Sequence, residues 1–96
     1  MTLVTKPFDA SKYLDGPEDY AELINDALAS GHAGYIAATL GTAARAYGVA
    51  KLAEQTGLNR ATIYAALSPD GNPTLDTVLK VSSSLGVQLS AGRVPA

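Results

Sequence analysis

Residues 49–68 read VAKLAEQTGLNRATIYAALS, and this stretch decides the fold. Two short helical patterns flank Gly57, with Ala53 four residues before it and Ile63 six residues after it. Two helices that cross closely need a small residue at the contact, which Ala53 supplies. The turn between them needs a residue that tolerates a left-handed backbone, and glycine adopts one without a Cβ penalty. Ile63 then holds the second helix against the first and leaves its outer face free. That is the arrangement of a helix-turn-helix whose second helix enters a DNA major groove. Leu52, Thr56, Leu58 and Ala66 take the remaining inward positions. The pattern predicts helices over Val49–Thr56 and residues 60–67, with Asn59 as a good cap for the second.

Working outward, a helix is expected over Ala33–Tyr47, with Ile36, Leu40, Ala43 and Tyr47 on its buried face. Gly41 is a weak point in it, costing about 1 kcal/mol against alanine if exposed. Further upstream, Asp15 and Gly16 precede Pro17, Glu18 and Asp19. This is a helix start, with a capping side chain, a proline in the first turn and acids on the positive end of the dipole. Tyr20, Leu23, Ile24, Ala27 and Leu28 form one apolar stripe, and Gly31 stops the helix. Downstream, Ser-Pro-Asp-Gly-Asn-Pro at residues 68–73 is a turn cluster. Thr74 caps a fifth helix whose apolar positions are Leu75, Val78, Leu79, Val81 and Leu85, with Gly86 as its stop. Residues 87–90 alternate like a short strand, either pairing across a dimer axis or serving as plain tail. The chain reads as one domain over residues 1–96: an extended arm at 1–14, an additional helix at 17–30, and the helix-turn-helix part at 32–90. The expected class is all-α with five helices.

Composition bounds the function. The chain has 96 residues, 47% apolar and 17% charged, which suits one globular domain rather than a disordered chain. It has no cysteine, so disulfides and thiolate chemistry are excluded and a reducing cytoplasm is the expected home. Neither a secretory signal nor an apolar run of membrane-spanning length is visible. Net charge is −2, which by itself argues against nucleic acid. Its distribution is uneven. Residues 1–31 carry Lys6 and Lys12 against Asp9, Asp15, Glu18, Asp19, Glu22 and Asp26, a balance of −4. Residues 32–96 carry Arg45, Lys51, Arg60, Lys80 and Arg93 against Glu54, Asp70 and Asp76, a balance of +2. The cations share the part of the chain that holds the helix pair. The acids suit either a basic partner or an ordinary solvated helix face.

Beyond the helix pair, LNRATIYAALSPDGNPTLDTVLKVSSSLGVQLS, with FDASKYLDGPEDYAELINDAL and GYIAATLGTAARAYG upstream, resembles the addiction-module antidote family. These are HigA-like antitoxins of type II toxin–antitoxin pairs, with a DNA-binding domain of Cro/repressor type. The resemblance spans about residues 7–90, and its most specific part is the LSPDGNP run at 67–73 followed by Leu79, Lys80 and Val81. It implies a homodimeric autorepressor that binds double-stranded operator DNA and neutralises a RelE/ParE-like toxin encoded beside it. Repressors of this type often open the first motif helix with glutamine. Val49 stands there instead, which shifts readout toward the second helix.

In this fold Asn59, Arg60, Ala61, Tyr64 and Ala65 occupy the start and outer face of the recognition helix. Arg60 is the leading candidate, because arginine contacts guanine bidentately in the major groove. Asn59 is either a cap or a base reader. Tyr64 suits a phosphate, a thymine methyl or partial burial, and Thr62 reaches a phosphate through its hydroxyl. Lys51, Arg45 and Lys80 are candidate phosphate contacts, which give affinity without sequence information. For a toxin, the acidic helix (Glu18, Asp19, Glu22, Asp26) and the arm around Phe8 and Tyr13 are the candidate surfaces. No cofactor or metal is expected, since His32 is the lone histidine and no cysteine exists. No nucleophile–base pair and no phosphate-binding glycine loop is present, so no enzyme is expected. Two alternatives remain beside the antitoxin: a stand-alone phage-type repressor, and a protein-interaction adaptor that binds no DNA.

Overall fold

The computed structural model describes residues 14–95. Five helices follow one another: α1 (Pro17–Ser30), α2 (Ala33–Tyr47), α3 (Val49–Thr56), α4 (Arg60–Ala66) and α5 (Leu75–Ser84). Each begins and ends where local chemistry dictates. His32 caps α2 by accepting the Tyr35 N–H at Nδ1, 3.1 Å away. Thr74 caps α5 by accepting the Thr77 N–H at Oγ1, also at 3.1 Å. The start of α1 differs from expectation. Gly16 is the cap residue, and the Asp15 side chain makes no capping bond. Instead the Asp19 carboxylate reaches back to accept the Asp15 N–H at 2.9 Å. A carboxylate in the first turn meets both an orphan donor and the positive end of the helix dipole.

The core draws on every helix. Tyr20 and Ile24 of α1, Leu40 and Ala44 of α2, Leu52 of α3, Ile63 of α4 and Val81 of α5 are buried together, with Leu67 and Leu85 at helix ends. Leu75 and Leu79 do not join them. They lie 71% and 49% exposed, because the inward face of α5 is formed by Thr77, Val81 and Ser82.

No strand forms over residues 87–90, and none occurs among the described residues. The physical reason lies at the end of α5. Gly86 donates its N–H to the Ser83 carbonyl, and Val87 donates to that of Ser82 at 2.9 Å. This is a Schellman closure. It turns the chain back so that Val87 is buried and Leu89 packs on the core, with no neighbouring strand to pair.

Gly41 proves to be a close-approach site rather than an exposed weak point. It is buried, and a Cβ placed on it would stand 2.1 Å from the Leu67 carbonyl oxygen. Gly34, two turns earlier on the same face of α2, lies similarly against the Pro69 carbonyl, at 2.8 Å from an added Cβ. These two glycines let the chain leaving α4 pack directly on the α2 backbone.

Among the described residues, the Ser82 hydroxyl is a buried side-chain polar atom without a hydrogen-bond partner. Such a group costs about 1–3 kcal/mol of desolvation. Ser82→Ala is therefore expected to raise stability by about 1 kcal/mol, which a thermal melt reads as an increase of about 4–8 °C. A lowered melting temperature would contradict this account of the site.

Candidate nucleic-acid interface

The helix pair is built around Gly57, whose φ of +78° is a left-handed turn that only glycine adopts at no steric cost. Its N–H bonds the Ala53 carbonyl at 3.0 Å and closes α3. Thr56 bridges the turn. Its hydroxyl donates to the Leu52 carbonyl at 2.7 Å and accepts the Leu58 N–H at 3.2 Å. Spacing alone marked Thr56 as an inward position and missed this role; threonine beside a turn glycine is the signal that points to it. Asn59 then caps α4, its Oδ1 accepting the Thr62 N–H at 2.7 Å. Its side-chain oxygen is thereby committed to the helix end.

Ile63 and Leu67 turn inward, so α4 presents its other side to solvent. Arg60, Ala61, Thr62, Tyr64 and Ala65 are all exposed, Tyr64 at 56%. Partial burial of Tyr64 does not occur. Among the described residues Arg60 has no acidic partner, and the one ion pair is Lys80–Asp76 at 2.9 Å. The surface has one cation, a phenol and small side chains, which lets a helix sink close to a partner without steric obstruction.

The other cations are held elsewhere. Lys51 lies on α3 with its ammonium 4.1 Å from the centroid of the Tyr47 ring. That ring stands edge-on to Tyr20, with centroids 6.4 Å apart, and its hydroxyl donates to Gln55 Oε1 at 2.5 Å. Burial and the neighbouring Tyr47, Asp15 and Asp19 raise the Tyr20 pKa above its usual value, so this phenol stays neutral. Arg45 leans back along α2 and donates to the Thr42 hydroxyl at 3.3 Å. Lys80 is engaged by Asp76. At the first position of α3 Val49 is buried, and Gly48 before it has no side chain.

On the acidic side, Glu22 and Asp26 line one shallow groove of α1 together with Asp19, Leu14 and Leu23, with a volume of ≈ 220 Å³. Glu18 lines a second depression with Asp15 and Gly16, and Asp19 borders both. Phe8 and Tyr13, and nearly all of the expected arm, fall outside the described residues. Among the described residues no group of three or more potential ligands is placed to hold a metal, and no helix is long and apolar enough to cross a membrane.

The chain is similar to a protein of Haemophilus influenzae described only as uncharacterized, at 36% identity over 88 residues, covering 92% of this chain and 91% of that one. No solved structure matches it. The family model described as "Probable addiction module antidote protein" matches residues 4–93. A match that runs through all five helices, the Gly57 turn included, means that the chain belongs to this addiction-module antidote family.

Proposed function

We propose that this antidote acts as a HigA-like antitoxin, a dimeric repressor of its own operon that grips operator DNA through α4 and neutralises a RelE/ParE-like toxin. The observation that carries the DNA half is the exposed α4 face, with uncompensated Arg60 beside Ala61, Tyr64 and Ala65, set after the left-handed turn at Gly57. Arg60 reads a base edge, and Thr62 and Tyr64 contact phosphate or a thymine methyl. Asn59 serves chiefly to cap α4. Lys51 and Arg45 add phosphate attraction from neighbouring helices, and Val49 leaves readout to α4.

The toxin half rests on family membership and on the acidic groove of α1. A groove lined by both carboxylates and leucines suits a basic, amphipathic surface of the toxin. Glu22→Lys with Asp26→Lys is expected to weaken toxin binding at least tenfold, about 1.4 kcal/mol, as read by calorimetry with the product of the adjacent reading frame. Unchanged affinity would place the toxin on another surface.

Co-purification tests the pairing itself. A tagged antidote expressed with its operon neighbour is expected to bring that neighbour down in fixed stoichiometry, and failure to do so favours the stand-alone repressor. A second reading, an adaptor without DNA binding, is favoured by the sparse charge on α4, where Arg60 is the lone cation between Asn59 and Ala66.

A further inference from the structure

The pair Asp-Gly occurs twice in the chain, at residues 15–16 and 70–71. Glycine presents its amide nitrogen to the preceding aspartyl carboxyl with no side chain in the way, so the pair can rearrange its own backbone wherever the fold leaves it room. Asp15 and Asp70 are both exposed, but the fold treats the two pairs differently. At the start of α1 the Asp15 side chain makes no capping bond, and the Gly16 N–H has no partner among the described residues. A Cβ placed on Gly16 would meet nothing within 4 Å, and the pair opens onto a depression of ≈ 420 Å³. The turn after α4 is the opposite case. The Gly71 N–H donates to the Ser68 carbonyl at 2.9 Å. A Cβ on Gly71 would stand 2.1 Å from the Ala66 carbonyl oxygen and 2.6 Å from that of Ala65, so its backbone is enclosed by the end of α4.

We infer that Asp15–Gly16 is a site of spontaneous backbone modification, at which aspartate converts to isoaspartate, and that the fold protects the same pair at Asp70–Gly71. The Gly16 amide nitrogen gives up its proton and bonds the Asp15 side-chain carboxyl carbon, and water leaves. The product is a succinimide ring. Water then opens the ring at either carbonyl. Opening at the side-chain carbonyl restores aspartate. Opening at the main-chain carbonyl leaves the chain running through the former side chain, with the α-carboxylate free. One water leaves and one returns, and no oxidant, reductant or enzyme takes part. Rotation of the peptide plane between residues 15 and 16 brings nitrogen to carboxyl. That plane is free to turn, because the two anchored groups, the Asp15 N–H and the Gly16 carbonyl, lie outside it. Between residues 70 and 71 the plane contains the bonded Gly71 N–H itself.

The modification adds one carbon to the main chain between the two anchors at the start of α1. There the Asp15 N–H bonds the Asp19 carboxylate at 2.9 Å, and the Gly16 carbonyl accepts the Tyr20 N–H at 3.1 Å. A longer link cannot keep both bonds in this geometry, so α1 loosens at its first turn, beside the groove that Asp19 borders. The site goes beyond the proposed function and does not depend on it.

Peptide mapping of the full chain, aged at neutral pH with mild heating, tests the inference. Trypsin places the two pairs in separate peptides, 13–45 and 61–80. Electron-transfer fragmentation tells isoaspartate from aspartate, although their masses are equal. Isoaspartate is expected to form at residue 15 about tenfold or more faster than at residue 70. In the urea-unfolded chain the two rates are expected to converge. Gly16→Ala places its methyl in open space on an extended backbone, and it is expected to suppress the product at residue 15 with an unchanged melting temperature. Equal rates in the folded chain, a faster rate at residue 70, or no isoaspartate at residue 15 would each overturn the inference. A contrast that persists unchanged in urea would overturn it too, since neighbours in sequence rather than the fold would then set the rates.

Discussion

Gly41→Ala is expected to destabilise the protein by about 2–3 kcal/mol, although alanine is the better helix former. Helix propensity favours the change by about 1 kcal/mol. Against that, the new methyl would stand 2.1 Å from the Leu67 carbonyl oxygen, far inside van der Waals contact. The obstacle is backbone, so it cannot rotate away as a flexible side chain would. Overpacking of this kind typically costs 1–3 kcal/mol and occasionally more, and this contact belongs at the upper end (about 3–4 kcal/mol). A domain of this size then loses about 10–20 °C of melting temperature. The route to relief is displacement of α4 from α2, so DNA affinity is expected to fall as well, without any loss of charge. A melting temperature equal to or above that of the unaltered protein would show that the close packing of α2 on the end of α4 is wrong.

Arg60→Ala is the complementary case, with a large effect on binding and little on folding. Arg60 is exposed and lacks an acidic partner among the described residues, and its side chain supports nothing in the core. Stability is expected to stay within about 0.5 kcal/mol, as for exposed positions generally. A bidentate contact to guanine carries about 1–3 kcal/mol per half-site, so affinity for the operator should fall by about 5- to 150-fold in each half. Specificity should relax at one base pair while the salt dependence changes little. If affinity for scrambled DNA falls equally, Arg60 contacts phosphate instead. If stability falls by more than 1 kcal/mol, its role is structural.

The contrast between Gly41 and Arg60 indicates what the chain discloses by itself. Local signals were legible because they act locally. Pro17, Gly31, Gly48, Gly57 and Thr74 punctuate the chain, and all five helices begin and end within a residue of where those signals put them. The exposed row of α4 was legible too, since Ile63 fixes the inward side and periodicity fixes the rest. Interactions between distant segments were not. Nothing near Gly41 indicates that Leu67 crosses it. The only trace is the seven-residue spacing from Gly34, which puts two glycines on one face of α2. Leu75 and Leu79 read as apolar positions of α5 with no side assigned to them, and only packing shows that Thr77, Val81 and Ser82 face inward. Of the two readings of residues 87–90, strand or plain tail, the structure takes the tail, for a similar reason. Alternation indicates which side chains share a face, but a strand also needs a partner, and the Schellman closure directs this one into the core.

The same division applies to the charged residues. The acidic start of the chain is evident, but not that Glu22 and Asp26 share one groove while Glu18 lines another, with Asp19 bordering both. Lys80 reads as an available cation, but the Asp76 carboxylate pairs with it, while Lys51 lies over the Tyr47 ring and keeps its charge. Arg60 therefore carries more of the proposed DNA contact than charge counting suggested.

DNA binding is the central claim, and titration of the purified protein against labelled DNA from just upstream of its own gene tests it most directly. It should be run at low and moderate salt with scrambled DNA as competitor. The account predicts saturable, sequence-preferring binding that weakens with salt by about 0.9 log units per log unit for each phosphate neutralised. With Arg45 and Lys51 from each of two copies on phosphate, the slope should be about −3 to −4. Folded protein that binds the upstream DNA no better than the competitor, with and without the toxin present, would contradict it.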